Sequence, residues 1–144
     1  MYGLSARSRL CKIQIQQNKA LKAVYKLPYL FATFQLYSSV AKGILPLLAL
    51  NFLSSVTYVH KVITNTGTLY NIDFSTPFHE YQTRFSHNIC KAKFKNEYGR
   101  RRIAYIGPYY YNKLPDSLKL LRDIHKFKLA VKDYCHTNIL NFIM

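Results

Sequence analysis

The chemistry in this sequence lies in positive charge and aromatic rings, and both are densest between Tyr98 and Pro115. Those eighteen residues hold three consecutive arginines (Arg100, Arg101, Arg102), five tyrosines, two glycines and two prolines. Guanidinium groups meet phosphate oxygens and tyrosine rings stack on bases, so the pattern suits a nucleic-acid surface. The competing reading is a solvated charged edge over a tyrosine-filled core, because runs of like charge are usually solvated faces. On the first reading the contact residues are Arg84, Lys91, Lys93, Lys95, Tyr98, Arg100, Arg101, Arg102 and Tyr109.

Bond-making chemistry finds little support. The six acidic residues never lie closer than seven positions apart, so no paired carboxylates stand ready to hold metal ions for phosphoryl transfer. No phosphate-binding glycine loop, Gly-x-Ser-x-Gly or His-Glu-x-x-His occurs. His87-x-x-Cys90 and Cys135-His136 lack the tight paired spacing of closed zinc sites. Cys11, Cys90 and Cys135 are odd in number and widely spaced, which argues against a disulfide framework and for a reducing compartment, nuclear or cytoplasmic. The expectation is a non-enzyme with no catalytic residue, metal or cofactor.

The formal net charge of +15, with a pI near 9.9, favours polyanionic partners: nucleic acid first, an anionic membrane second. No Asp or Glu precedes Asp73, and thirteen of the twenty-one Lys and Arg fall between Arg84 and Lys132. With 49% hydrophobic residues, the 144-residue chain has the composition for one packed domain or for a piece of a larger protein. The first residues contain no continuous apolar core with a small-residue cleavage site, so no secretory signal is expected.

The elements that must position these residues read mostly as helices. Ile13, Gln17, Ala20/Leu21 and Val24 follow helical spacing over Leu10–Leu27, with Lys12, Lys19, Lys22 and Lys26 as an exposed stripe and Pro28 as the stop. Thr33 opens a short helix to Val40 or Ala41, with Gly43 ending it. Pro46 starts a longer helix whose apolar face is Leu48, Phe52, Val56, Val59 and Ile63. Residues 65–87 read as a linker rich in turn chemistry. Lys91, Lys93 and Lys95 alternate with Ala92 and Phe94, and Arg102, Ala104 and Ile106 alternate with Ile103 and Tyr105. That period predicts a β-hairpin near 88–106, with Gly99 and Gly107-Pro108 as punctuation. After a short turn at 117–121, Asp123 caps a last helix with Ile124, Phe127, Val131 and Tyr134 inside and Lys126, Lys128 and Lys132 outside. Residues 138–144 read as a frayed end. The expected fold is therefore mainly α with a small β-hairpin (α+β). Its segments are three helices in 1–64, a linker at 65–87, and the basic hairpin with C-terminal helices in 88–144.

An ordered set of residues also carries a family resemblance: Tyr81-Gln82-Thr83-Arg84, Gly99-Arg100, Ile103, Tyr105, Gly107-Pro108, Asn112, Leu114-Pro115 and Phe127-Lys128. It resembles the extreme C-terminal segment of reverse transcriptases from non-LTR (LINE-type, jockey-like) retrotransposons. The helix Ile15–Val24 and the start Ile44-Leu45-Pro46-Leu47 are similar to that family's pattern, which covers nearly the whole chain. Two departures stand out: Tyr111 stands where the family has tryptophan, and of the Tyr-Gly-x-x-x-Trp-Gly that often precedes the first helix only Tyr2-Gly3 is present, the chain having no tryptophan. The resemblance implies a parent enzyme that copies RNA into DNA at a nicked target, and it makes a mitochondrial presequence at the basic start an unneeded reading. The family's catalytic Ala-Asp-Asp is absent here, so this segment would scaffold and contact a nucleic-acid backbone, with the remainder of the reverse transcriptase as its partner. Tyr111 would then be a core residue. The alternative is a small basic membrane-associated protein built on the charge-free stretches 27–41 and 43–59. Both are shorter than the ~20 apolar residues a spanning helix needs, so a membrane is the lesser expectation.

Overall fold

The computed structural model describes residues 7–64, 74 and 88–143. Its helices are α1 (Arg7–Val24), α2 (Thr33–Gln35, running on as a π-helical turn over Leu36–Val40), α3 (Leu47–Ile63), α4 (Glu97–Arg100), α5 (Ile103–Tyr111), α6 (Asp116–Lys119) and α7 (Ile124–Thr137). A 3-10 turn covers Ile139–Phe142. The chain divides into two compact units, Met1–Asn51 with Lys132–Met144, and Phe52–Val131. The linker expected at 65–87 lies outside the described residues except for Phe74.

In the first unit α1 buries Leu10 and Gln14, while Ile13 and Val24 are exposed, so its inner face is turned from the one the apolar spacing suggests. The reason is polar. Gln14 donates to the Tyr37 hydroxyl (2.8 Å) and to Asn18 Oδ1 (2.8 Å), and its Oε1 accepts from the Leu47 backbone N–H (2.6 Å). That last bond satisfies one of the orphan donors at the start of α3. Tyr37 completes the network by donating to Asn18 Oδ1 (2.7 Å), and burial raises its pKa. Buried polar groups persist when paired in this way. Leu36, Tyr37 and Ile139 form the apolar cluster beside it, flanked by Leu21, Leu27, Phe31 and Ile143. The end expected to fray is thus held by Ile139.

Helix α1 stops earlier than Pro28 alone would require. Leu27 N–H bonds to the Lys22 carbonyl (2.8 Å) and Lys26 N–H to the Ala23 carbonyl (3.1 Å), the paired bonds of a Schellman motif. The motif places Lys26 at φ 52°, a left-handed conformation that a residue with a Cβ adopts at a cost. Lys26→Gly is therefore expected to stabilise the chain by about 1 kcal/mol, less the entropy of a freer unfolded glycine. A thermal midpoint that is unchanged or lower contradicts this.

The second unit packs around the later turns of α3. Phe52, Val56, Val59 and His60 are buried there, while Ile63, expected inside, is exposed. His60 stacks on Phe127 (centroids 3.8 Å, planes 3° apart), and its Nδ1 lies 3.2 Å from the Tyr111 hydroxyl. Tyr111 is buried as expected, and burial pushes its pKa up to about 12. Asp123 does cap α7: its carboxylate accepts from the backbone N–H of His125 (2.8 Å) and Lys126 (3.4 Å), which holds its pKa below the usual range.

Burial lowers the His60 pKa from its ordinary 6.5, the Leu121 backbone acting the other way. The unfolded chain therefore takes up this proton first. Stability from a neutral His60 is complete above about pH 6.5 and declines as pH falls toward the lower folded value. The thermal midpoint should drop between about pH 7 and pH 5, and drop less in His60→Phe. A midpoint equally steep in both proteins would show that other groups govern the acid limb.

The predicted hairpin is absent: among the described residues there is no strand. Residues 88–94 run without regular structure, and the segment expected as the second strand forms α4 and α5. Four features of the segment explain the difference. Asn96 accepts from Gly99 N–H (2.7 Å) and so starts α4 as its N-cap. Read at helical spacing, Ile103, Gly107 and Tyr111 lie on one side of α5, where period 2 suggested alternation. Gly107 is a contact point, not a turn, since a Cβ there would lie 2.7 Å from Val59 Cγ2. Pro108 sits inside α5 and forfeits one helical bond, but its ring is fully buried.

Candidate nucleic-acid interface

Because α5 buries Gly107, Pro108 and Tyr111, its other side carries Tyr105 and Tyr109 outward, one turn apart. Their rings are nearly parallel (9°) with centroids 6.4 Å apart. Lys113, in the turn after the helix, places its Nζ 4.5 Å from the Tyr109 centroid, and Lys91 approaches the same ring at 5.7 Å. Tyr109 also meets Tyr110 (5.7 Å), which in turn packs on Phe52 (5.2 Å).

Lys91 reaches this ring because residues 88–94 are fastened at two points. Asn112 Nδ2 donates to the Ile89 carbonyl and Asn112 Oδ1 accepts from the Ile89 N–H, both at 2.9 Å. These two bonds satisfy both backbone groups of Ile89, as a neighbouring strand would. Farther along, Phe94 packs edge-on to Tyr105 (6.5 Å) and against Gly99, where a Cβ would come within 2.7 Å of the ring.

The remaining expected residues fall around this cluster as follows. Lys93 and Lys95 are exposed on the fastened segment, and Tyr98, 72% exposed, stands on α4. Arg100 is exposed at the end of α4 and Arg102 is exposed in the extended residue before α5. The strand alternation that would set Arg101 opposite them does not exist. Arg101 is nevertheless distinct, being half-buried and 3.6 Å from the Glu97 carboxylate. Arg84 lies outside the described residues. Sequence reasoning passed over Tyr105 and Lys113 as contacts. The signal was their spacing of four from Tyr109, visible once α5 is read as a helix.

This surface combines a stacking platform with flanking cations, the two ingredients of single-strand binding. Each lysine–tyrosine contact is worth about 0.5–1 kcal/mol at an exposed site, less than the roughly 1–3 kcal/mol of a stacked base. An incoming base can therefore displace a lysine from the Tyr109 face and free it for phosphate. Elsewhere, burial pushes the Cys135 pKa up to about 12, so this thiol is an inert core group. His87, which would pair with Cys90 around a metal, lies outside the described residues, and among those described no group of three or more His, Cys, Asp or Glu gathers to hold one. No described helix is long and apolar enough to cross a membrane. The chain matches no family model, no curated protein and no solved structure.

Proposed function

We propose that this chain binds nucleic acid through its backbone and stacked bases, without marked sequence preference, as a non-catalytic C-terminal segment of a LINE-type reverse transcriptase. The observation that supports it best is Tyr109 on α5, flanked by Lys113 and Lys91 and neighboured by Tyr105. The motif resemblance supplies the parent family, and the scattered acidic residues supply the reason to assign the segment no polymerase or nuclease step of its own. Phosphate contacts carry no sequence information, and tyrosine stacks on any base.

The test is Tyr109→Ala, at a position 37% exposed and away from the buried side of α5, with circular dichroism checking that the variant folds as the parent does. Affinity for single-stranded oligonucleotides should fall by about 1–3 kcal/mol, similarly for unrelated sequences, while duplex affinity changes less. Equal losses for duplex and single strand, or none for either, would contradict a stacking role.

A further inference from the structure

The lysine stripe of α1 lies away from Tyr109 in sequence and belongs wholly to the first unit. It borders a groove of about 700 Å³ lined by Ile15, Lys19, Lys22, Leu27, Tyr29 and Leu30, among others. Lys22 is held in place, donating to the Tyr29 carbonyl (2.7 Å) with its Nζ 5.9 Å from that ring's centroid. Lys19 is exposed. At the rim of the groove, the end of α1 and the turn after it are exposed: Val24 is 74%, Tyr29 76% and Leu30 89% exposed, with Lys26 between them in sequence.

We propose that this turn and the adjoining stripe form a peripheral docking site for an anionic phospholipid bilayer. The site joins large apolar side chains to a one-signed rim: no acidic residue occurs anywhere in the first 72 positions. An anionic amphiphile matches both features. Side chains as exposed as Leu30 and Tyr29 project outward and need no shape-matched pocket, which suits insertion into an acyl boundary better than seating in a protein groove. Tyrosine brings an apolar ring with a polar tip, suited to the headgroup level, and lysines reach lipid phosphate from beside it. Lysines near an anionic leaflet contribute over roughly one Debye length, about 8 Å at physiological salt. The proposal goes beyond nucleic-acid binding and does not depend on it.

The experiment is co-sedimentation of the full chain, at physiological salt, with phosphatidylcholine vesicles with and without phosphatidylserine. The chain should sediment with the phosphatidylserine-containing vesicles and not with phosphatidylcholine alone. Tyr29→Ser with Leu30→Ser should weaken that binding at least tenfold, since two inserted side chains are lost. Lys19→Gln should weaken it about fivefold. Circular dichroism of each variant should remain that of the parent. The proposal is overturned if the double serine variant binds as the parent does, because the attraction is then diffuse charge. It is equally overturned by no binding, by equal binding to uncharged vesicles, or by a Lys19→Gln effect confined to oligonucleotides.

Discussion

Replacing Tyr111 by alanine is expected to remove most of the stability of the second unit. Tyr111 is almost wholly buried, its hydroxyl lies against His60 Nδ1, and its ring neighbours both His60 and Phe127. Truncating a buried aromatic costs about 3–5 kcal/mol, and a buried nitrogen left without a partner adds roughly 1–3 kcal/mol. Against a total of about 5–15 kcal/mol for a domain, that leaves little margin. The thermal midpoint should fall by roughly 10 °C or more, or the cooperative transition should vanish. Tyr111→Phe keeps the ring but leaves His60 Nδ1 without its partner, and should cost about 1–3 kcal/mol. An alanine variant melting within a few degrees of the parent would contradict the placement of this ring at the centre of the unit.

The same residue shows how far the sequence reaches. Tyr111 was identifiable as core because it stands where the resembled family has tryptophan, and the long helices were legible from periodicity and proline placement: α1, α3 and α7 lie where those signals put them. Which face each helix buries was less legible. In α1 the choice follows a network joining Gln14, Asn18 and Tyr37, and polar side chains carry no apolar periodicity. In α3, stacking on Phe127 and bonding to Tyr111 bring His60 inside where Ile63 was expected.

The hairpin was misread for a related reason. Over five residues, an alternation and a helical face can share the same letters, and Gly107-Pro108 reads as a break in either case. The Asn96 cap is local, but the contacts that decide α5 and the 88–94 segment are long-range: Val59 against Gly107, and Asn112 bonded to both backbone groups of Ile89. The correction also changes the candidate site. Its basic and aromatic composition was readable, but its centre required Tyr105 and Tyr109 to fall one turn apart on a helix, with Lys113 in the turn that follows. Lys91 joins them only through the Asn112 clamp some twenty residues later in the chain.

Contact with the nucleic-acid backbone would fall first on the arginine run. Arg100 and Arg102 are exposed and available for phosphate, whereas Arg101 already neighbours Glu97. Each phosphate contact contributes about 0.7 to the slope of log affinity against log salt for single strands, and about 0.9 for duplex DNA. The measurement is a salt titration of binding to two unrelated oligonucleotides by the parent chain and by a variant carrying Arg100→Ala, Arg101→Ala and Arg102→Ala. With two arginines contributing, binding to both sequences should weaken and the slope should become shallower by about 1.4 on single strands or about 1.8 on duplex. A triple variant that remains folded, with unchanged affinity and unchanged slope, would make the run a solvated edge and contradict that contact.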